Sequence, residues 1–155
     1  MANELHSLSI LFQNRLFRIP DYQRGYAWKR EQLADFWDDL MNLQEDRYHY
    51  TGLLSLKPLS RNNVKSWQGD EWLLESGFKP FHVVDGQQRL TTFSILMFEL
   101  VSFVKRLPDN TEKSDEDIFI GFESLRDIKA KYILRRRPPQ NLITTYLFGY
   151  ETDNP

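Results

Sequence analysis

The stretch Phe81–Leu100, FHVVDGQQRLTTFSILMFEL, decides how this chain folds. Its first residues, Phe81-His82-Val83-Val84, are aromatic and β-branched and predict a short strand. Asp85-Gly86 then offers a tight turn. From Gly86 to about Arg106 the sequence is dominated by apolar residues, which predicts a helix stopped by Leu107-Pro108. Leu90, Phe93, Met97, Leu100 and Val104 share one helical face, and Ile95, Leu96, Phe98 and Phe103 cover much of the remainder. A helix apolar nearly all round is expected at the centre of a domain.

Four polar side chains, Asp85, Gln87, Gln88 and Arg89, crowd the point where strand gives way to helix. Local structure accounts for some of them. Asp85 as the N-cap with Gln88 three positions on would make a capping box, and Gly86 would ease the turn. Arg89 is not explained in this way, because a cation in the first turn opposes the helix dipole at a cost of roughly 0.3–1 kcal/mol. An anion held at the helix start would resolve the conflict: open N–H groups bind phosphate and the planar guanidinium meets its oxygens. Gln87 and Gln88 would add donors, and the Thr91 and Thr92 hydroxyls weaker ones. The competing reading is a salt bridge from Arg89 to an acid such as Asp38 or Glu99.

Upstream, Leu16–Ile19 reads as a strand stopped by Pro20, followed by the loop PDYQRGYAW. Tyr22, Tyr26 and Trp28 there suit either a lid on the core or a stacking surface for a base. Gln23 and Arg24, set between the rings, favour a nucleobase beside phosphate. Lys29–Leu43 predicts an amphipathic helix with Leu33, Phe36, Trp37, Leu40 and Leu43 on its apolar stripe and Asp35, Asp38 and Asp39 on a solvated face. Tyr48–Leu56 reads as a strand whose Gly52 marks a bulge or a close backbone approach. Turn residues fill 57–80, with Trp72-Leu73-Leu74 read as one strand of a hairpin. A polar, mobile loop follows at PDNTEKSDED, and 118–133 is ambiguous between helix and strand. The order of elements predicts an α+β domain.

Composition narrows the classes. The 155 residues suit one domain with a real core. Twenty Lys and Arg against 22 Asp and Glu leave a net charge of −2, so no global basic field favours nucleic acid. RRRPP, Arg135–Pro139, is a local basic patch, read as a solvated loop. The absence of cysteine removes disulfides and thiolate metal sites. His6, His49 and His82 lack metal-ligand spacing, and no phosphate-binding P-loop motif occurs. No signal peptide or spanning segment is visible, which predicts a soluble cytoplasmic protein without a membrane partner.

Taken together and in this order, IPDYQRGYAW (19–28), YTGLLSL (50–56), VVDGQQRLTT (83–92) and FGYETDNP (148–155) resemble the GmrSD-type family of modification-dependent restriction proteins. The likeness covers their N-terminal domain, from about Ile10 to the end of the chain. It implies a ParB/sulfiredoxin-like fold, a small mixed β-sheet with packed helices and a phosphate-binding turn opening the central helix. It further implies binding and hydrolysis of a nucleoside triphosphate with Mg²⁺ at Asp85, Gly86, Gln87, Gln88 and Arg89, with Tyr22, Gln23 and Arg24 facing them.

On that basis Asp85, Arg89 and Gln88 are the expected catalytic residues. Gly86, Gln87, Gln88, Arg89, Thr92, Arg24, Gln23, Tyr22 and Trp28 are the expected nucleotide contacts, and Asp85 is the one residue placed to meet Mg²⁺. Haem, flavin and zinc are not expected. DNA would be a partner through the full-length protein, cut by a C-terminal nuclease domain or partner subunit, since three histidines here cannot supply that motif. Residues 1–110 are expected to form the nucleotide-binding core, and 111–155 a mobile loop and the start of a following region. The alternative function is a non-catalytic module that recognises modified DNA through the aromatic and arginine loop.

Overall fold

An unbroken buried run, Leu16-Phe17-Arg18-Ile19, makes β1 (Arg15–Ile19) an inner strand of the main sheet. The structure is a computed structural model that describes residues 4–64, 67 and 69–151. A short helix, α1 (Leu8–Leu11), precedes β1, and its N-cap Ser7 hydroxyl accepts from the Ile10 amide. Then follow α2 (Arg30–Met41), β2 (Ser55–Pro58), α3 (Glu71–Glu75), β3 (Lys79–Asp85) and the long α4 (Gln87–Arg106). The chain continues through β4 (Phe119–Ile120), β5 (Glu123–Ser124), α5 (Leu125–Tyr132), β6 (Leu134–Arg136), β7 (Thr144–Tyr146) and β8 (Phe148–Tyr150).

The sheet order is β2-β3-β1-β8, with β1 parallel to both neighbours and β2 antiparallel to β3. The fold is therefore α+β around a small mixed sheet, as the order of sequence elements predicts. Alternation along β1 and β3 splits the layers. Phe17 and its register partner Phe81 face Phe12, whose ring lies 5.3 Å from Phe17 and 5.7 Å from Phe93 of α4. Arg18 and its partner His82 face the other way, toward Trp67, at 5.5 Å and 6.1 Å.

Several expectations change. Trp72-Leu73-Leu74 belongs to α3, not to a hairpin strand, and buries Leu73 and Leu74. A three-residue apolar run cannot by itself distinguish the two periods. Of Tyr48–Leu56 only the end joins β2; the backbone before Ser55 pairs with no strand. The ambiguous 118–133 resolves into the β4–β5 hairpin and α5, capped by Ser124. The stretch after 110, set apart in the sequence reading, sends β8 back to pair with β1 and puts Leu147 in the main core. The end of that reading, residues 152–155, lies outside the described residues.

Two helices keep an open apolar side. On α4, Leu90 and Phe93 meet the sheet core, whereas Met97, Val101 and Val104 meet a second cluster with Ile118, Leu125 and Ile128. Val101 takes the place expected for Leu100. Ile95, Phe98, Leu100 and Phe103 remain exposed, so α4 is covered on one side rather than central. On α2 no residue is buried; Leu33, Trp37 and Leu43 of the predicted stripe are exposed. Periodicity places an apolar stripe but does not say what covers it.

The second cluster is clasped by charge. Lys129 Nζ donates to Asp115 Oδ2 at 2.5 Å, and Lys105 Nζ of α4 lies 3.7 Å from Oδ1. The bond from Lys129 holds the Asp115 carboxyl below the ordinary aspartate range, against a smaller opposing effect of burial. A depressed folded pKa adds stability above the unfolded value of about 3.9, and that stability is lost as pH falls through the folded value. Asp115→Asn should therefore lower the melting temperature at neutral pH, and the gap to the unsubstituted protein should close on acidification below about pH 4. Thermal melts across that range check it; a gap independent of pH would refute the clasp.

Candidate functional site

The end of β3 and the start of α4 are joined by a single residue, Gly86, in the left-handed conformation (φ 83°). Its bare α-carbon matters for space as well as dihedral angle. A Cβ there would lie 2.9 Å from the Leu53 carbonyl oxygen and from Leu54 Cδ1, so the 52–54 segment runs directly against the turn. Gly86, not Asp85, is the N-cap, which corrects the capping-box reading. The Asp85 Oδ1 oxygen instead accepts from the Gly86 amide at 2.7 Å. No side chain caps the first turn of α4, and such a turn leaves its amides open.

Gln88 does not reach back to the cap; both ends of its amide hold the facing loop. Its Oε1 accepts from Ala27 N at 2.8 Å and its Nε2 donates to Gly25 O at 3.3 Å. Gln87 Nε2 donates to Arg24 O at 3.0 Å, and Gln23 Nε2 donates to Val84 O at 3.2 Å. The Tyr26 hydroxyl meets Thr92 Oγ1 at 2.9 Å, and that threonine also donates to Gln88 O. Thus the two amides of the DGQQR turn bind the 24–27 backbone and fix it beside the helix start. Gln87 Oε1 is buried without a partner among the described residues.

This stapling leaves two cations free. Arg89 is exposed and makes no hydrogen bond or ion pair among the described residues, and neither does the side chain of Arg24. The alternative in which Arg89 pairs with Asp38 or Glu99 is therefore not realised. Both arginines line a cleft of about 300 Å³ with Gln23, Trp28, Val84, Asp85 and the Gly86–Gln88 turn. That is the lower end of the size range of small-molecule sites. Trp28 is braced edge-on by Phe36 of α2, with ring centroids 6.1 Å apart. Tyr22 and Thr92 do not line the cleft: Tyr22 is 73% exposed, and Thr92 is buried beneath the loop.

Chemically, the cleft presents two unpaired guanidiniums, a helix N-terminus and one carboxylate to the same volume. No group of three or more His, Asp or Glu residues suited to a metal ion exists among the described residues. No helix there is long and apolar enough to cross a membrane. The sequence reading passed over Tyr26 as a link to α4, and nothing in its spacing signals the Thr92 contact. It also passed over Arg18. That residue is buried in β1 and donates to Asp70 Oδ2 (2.7 Å), Phe17 O (2.8 Å) and Tyr146 O (3.0 Å). A charged residue amid an apolar strand is the signal that could have shown a buried partner.

Fold and cleft define a small α+β domain built around a strand-to-helix turn beside which two arginines line one cleft. The family model described as GmrSD restriction endonuclease, N-terminal domain, matches residues 8–152, and the chain belongs to that family, which places it among restriction and phage-defence proteins. No curated protein matches the chain.

Proposed function

We infer that the cleft binds a nucleoside triphosphate with Mg²⁺ and hydrolyses it, as the regulatory domain of a modification-dependent restriction protein. One observation carries the reading: Arg24 and Arg89, whose side chains have no hydrogen-bond or ion-pair partner among the described residues, converge with the first turn of α4 on one cleft. Arg89 and the open Gln87–Arg89 amides hold phosphate oxygens, and Arg24 closes from the loop side. The Trp28 ring supplies a face for the base. A four-stranded mixed sheet with its phosphate site at a strand-to-helix turn supports a ParB/sulfiredoxin-like fold.

A Mg²⁺ carried by the phosphates fits the residues present, because such ions need one or two carboxylates and take their other ligands from phosphate and water. Asp85 is that carboxylate, and the ion would supply neutralisation of phosphate charge. The same side chain orients the attacking water. The water oxygen bonds to the γ-phosphorus as the bridging P–O bond breaks, the water's proton passes to the released phosphate, and the two arginines stabilise the charge on the departing nucleoside diphosphate. Gln88, with its amide committed to the loop, acts by holding that loop. The domain works in the cytoplasm, and DNA and a nuclease domain or subunit join it in the complete system.

Titration of ATP and GTP, each with Mg²⁺, together with a phosphate-release assay, tests the reading. Binding of one of them followed by release is the expected result. Absence of binding by either nucleotide would overturn it.

A further inference from the structure

Among the described residues Arg89 has no acid to hold it, yet its guanidinium is not loose in solvent. A Cβ built on Gly52 would lie 2.7 Å from Arg89 Cζ, 2.7 Å from Nη1 and 3.1 Å from Nε. The pattern of these distances is informative. An approach to the edge of a guanidinium meets its nitrogens before its central carbon. Here the carbon is as near as the nearest nitrogen, so Gly52 lies under the face of the plane. The N–H bonds lie in that plane, so this contact leaves them unobstructed.

We propose that Gly52 is the positioning residue of the anion site: its bare α-carbon is the platform on which the Arg89 guanidinium lies flat with its N–H edges presented to the cleft. This rests on the phosphate-binding reading of that cleft. The platform is assembled by a reciprocal fit of two glycines. Gly86 lacks the Cβ that would strike Leu53 O, which lets the 52–54 backbone come up to the helix start; Gly52 then lacks the Cβ that would strike Arg89. The three atoms nearest a Cβ at Gly52 all belong to the far end of the flexible Arg89 side chain, so Arg89 is what moves first. Pre-set geometry of this kind reduces the ordering cost of binding.

Gly52 also has a positive φ of 107°, so alanine there is strained for a second reason. Gly77 separates the two effects. It has the same φ of 107° with nothing within 4 Å of a built Cβ, and it lies outside the cleft. Mg-ATP and Mg-GTP are titrated into the unsubstituted chain, Gly52→Ala, Gly77→Ala, Arg89→Ala and the Gly52→Ala/Arg89→Ala double variant.

Gly52→Ala should weaken binding by about ten-fold or more, approaching the loss in Arg89→Ala, from the hydrogen bonds to charge that go with the misplaced guanidinium. Gly77→Ala should bind normally, and the double variant should bind no more weakly than Arg89→Ala alone. Normal affinity in Gly52→Ala, or a further loss in the double variant, overturns the positioning role and leaves the nucleotide site standing. No binding by the unsubstituted chain overturns both.

Discussion

Arg89→Ala should weaken nucleotide binding by about ten- to a hundred-fold while leaving the free protein as stable as before, or slightly more stable. The binding loss follows from removing hydrogen bonds to a charged group, each worth about 1.5–3 kcal/mol when its partner is desolvated. The stability expectation has the opposite sign. Arg89 is exposed, makes no hydrogen bond or ion pair among the described residues, and sits in the first turn of α4, where a cation opposes the helix dipole. Its removal relieves roughly 0.3–1 kcal/mol and opens no cavity. Few structural arginines behave in this way, since most are retained for a contact whose loss destabilises the fold. Titration with Mg-ATP and Mg-GTP, beside thermal melts of the free protein, reads both halves. Unchanged affinity with the fold intact would remove Arg89 from the site.

The largest effect on stability is expected from Asp70→Ala, a loss of about 3–5 kcal/mol. The Arg18–Asp70 pair links the middle of β1 to the residue that precedes α3, and its side chains are only 8% and 17% exposed. Without Asp70, Arg18 keeps the Phe17 and Tyr146 carbonyls on Nη1 and the face of Trp67, but its Nη2 donors lose their acceptor and its charge is not neutralised. For a domain of this length the change amounts to a fall of roughly 10 °C in melting temperature. Replacing both partners, as in Arg18→Met/Asp70→Leu, should cost much less than Asp70→Ala alone, because no charge is then left buried and unpaired. If Asp70→Ala melts within a degree or two of the unsubstituted protein, the pair is not what joins the two layers on this side of the sheet.

The chemistry around the cleft shows where local sequence suffices. Val84-Asp85-Gly86 followed by an apolar run reads as strand, turn and helix because each step depends on neighbours in the chain. The glycine within Tyr48–Leu56 was legible as a close approach, although the group that approaches it, Arg89, was not. For Gln87 and Gln88 the residue types were right for donors, but the atoms they meet lie some 60 residues away in the 24–27 loop. A glutamine that binds phosphate and one that staples a loop have the same chemistry, and only the position of the loop distinguishes them.

By itself, then, the sequence determined the α+β class, β1, the β3-turn-α4 unit and the presence of an unexplained cation in the first turn of that helix. These follow from side-chain period, turn chemistry and the helix dipole, all set within a few residues. Tertiary structure decided the rest: that β8 returns to β1, that Arg18 finds Asp70, that one side of α4 stays open, and that Arg24 and Arg89 share a cleft. Each of those is a pairing between distant segments. Periodicity along one element records which surface seeks a partner, and the partner is fixed only when the sheet brings the segments together.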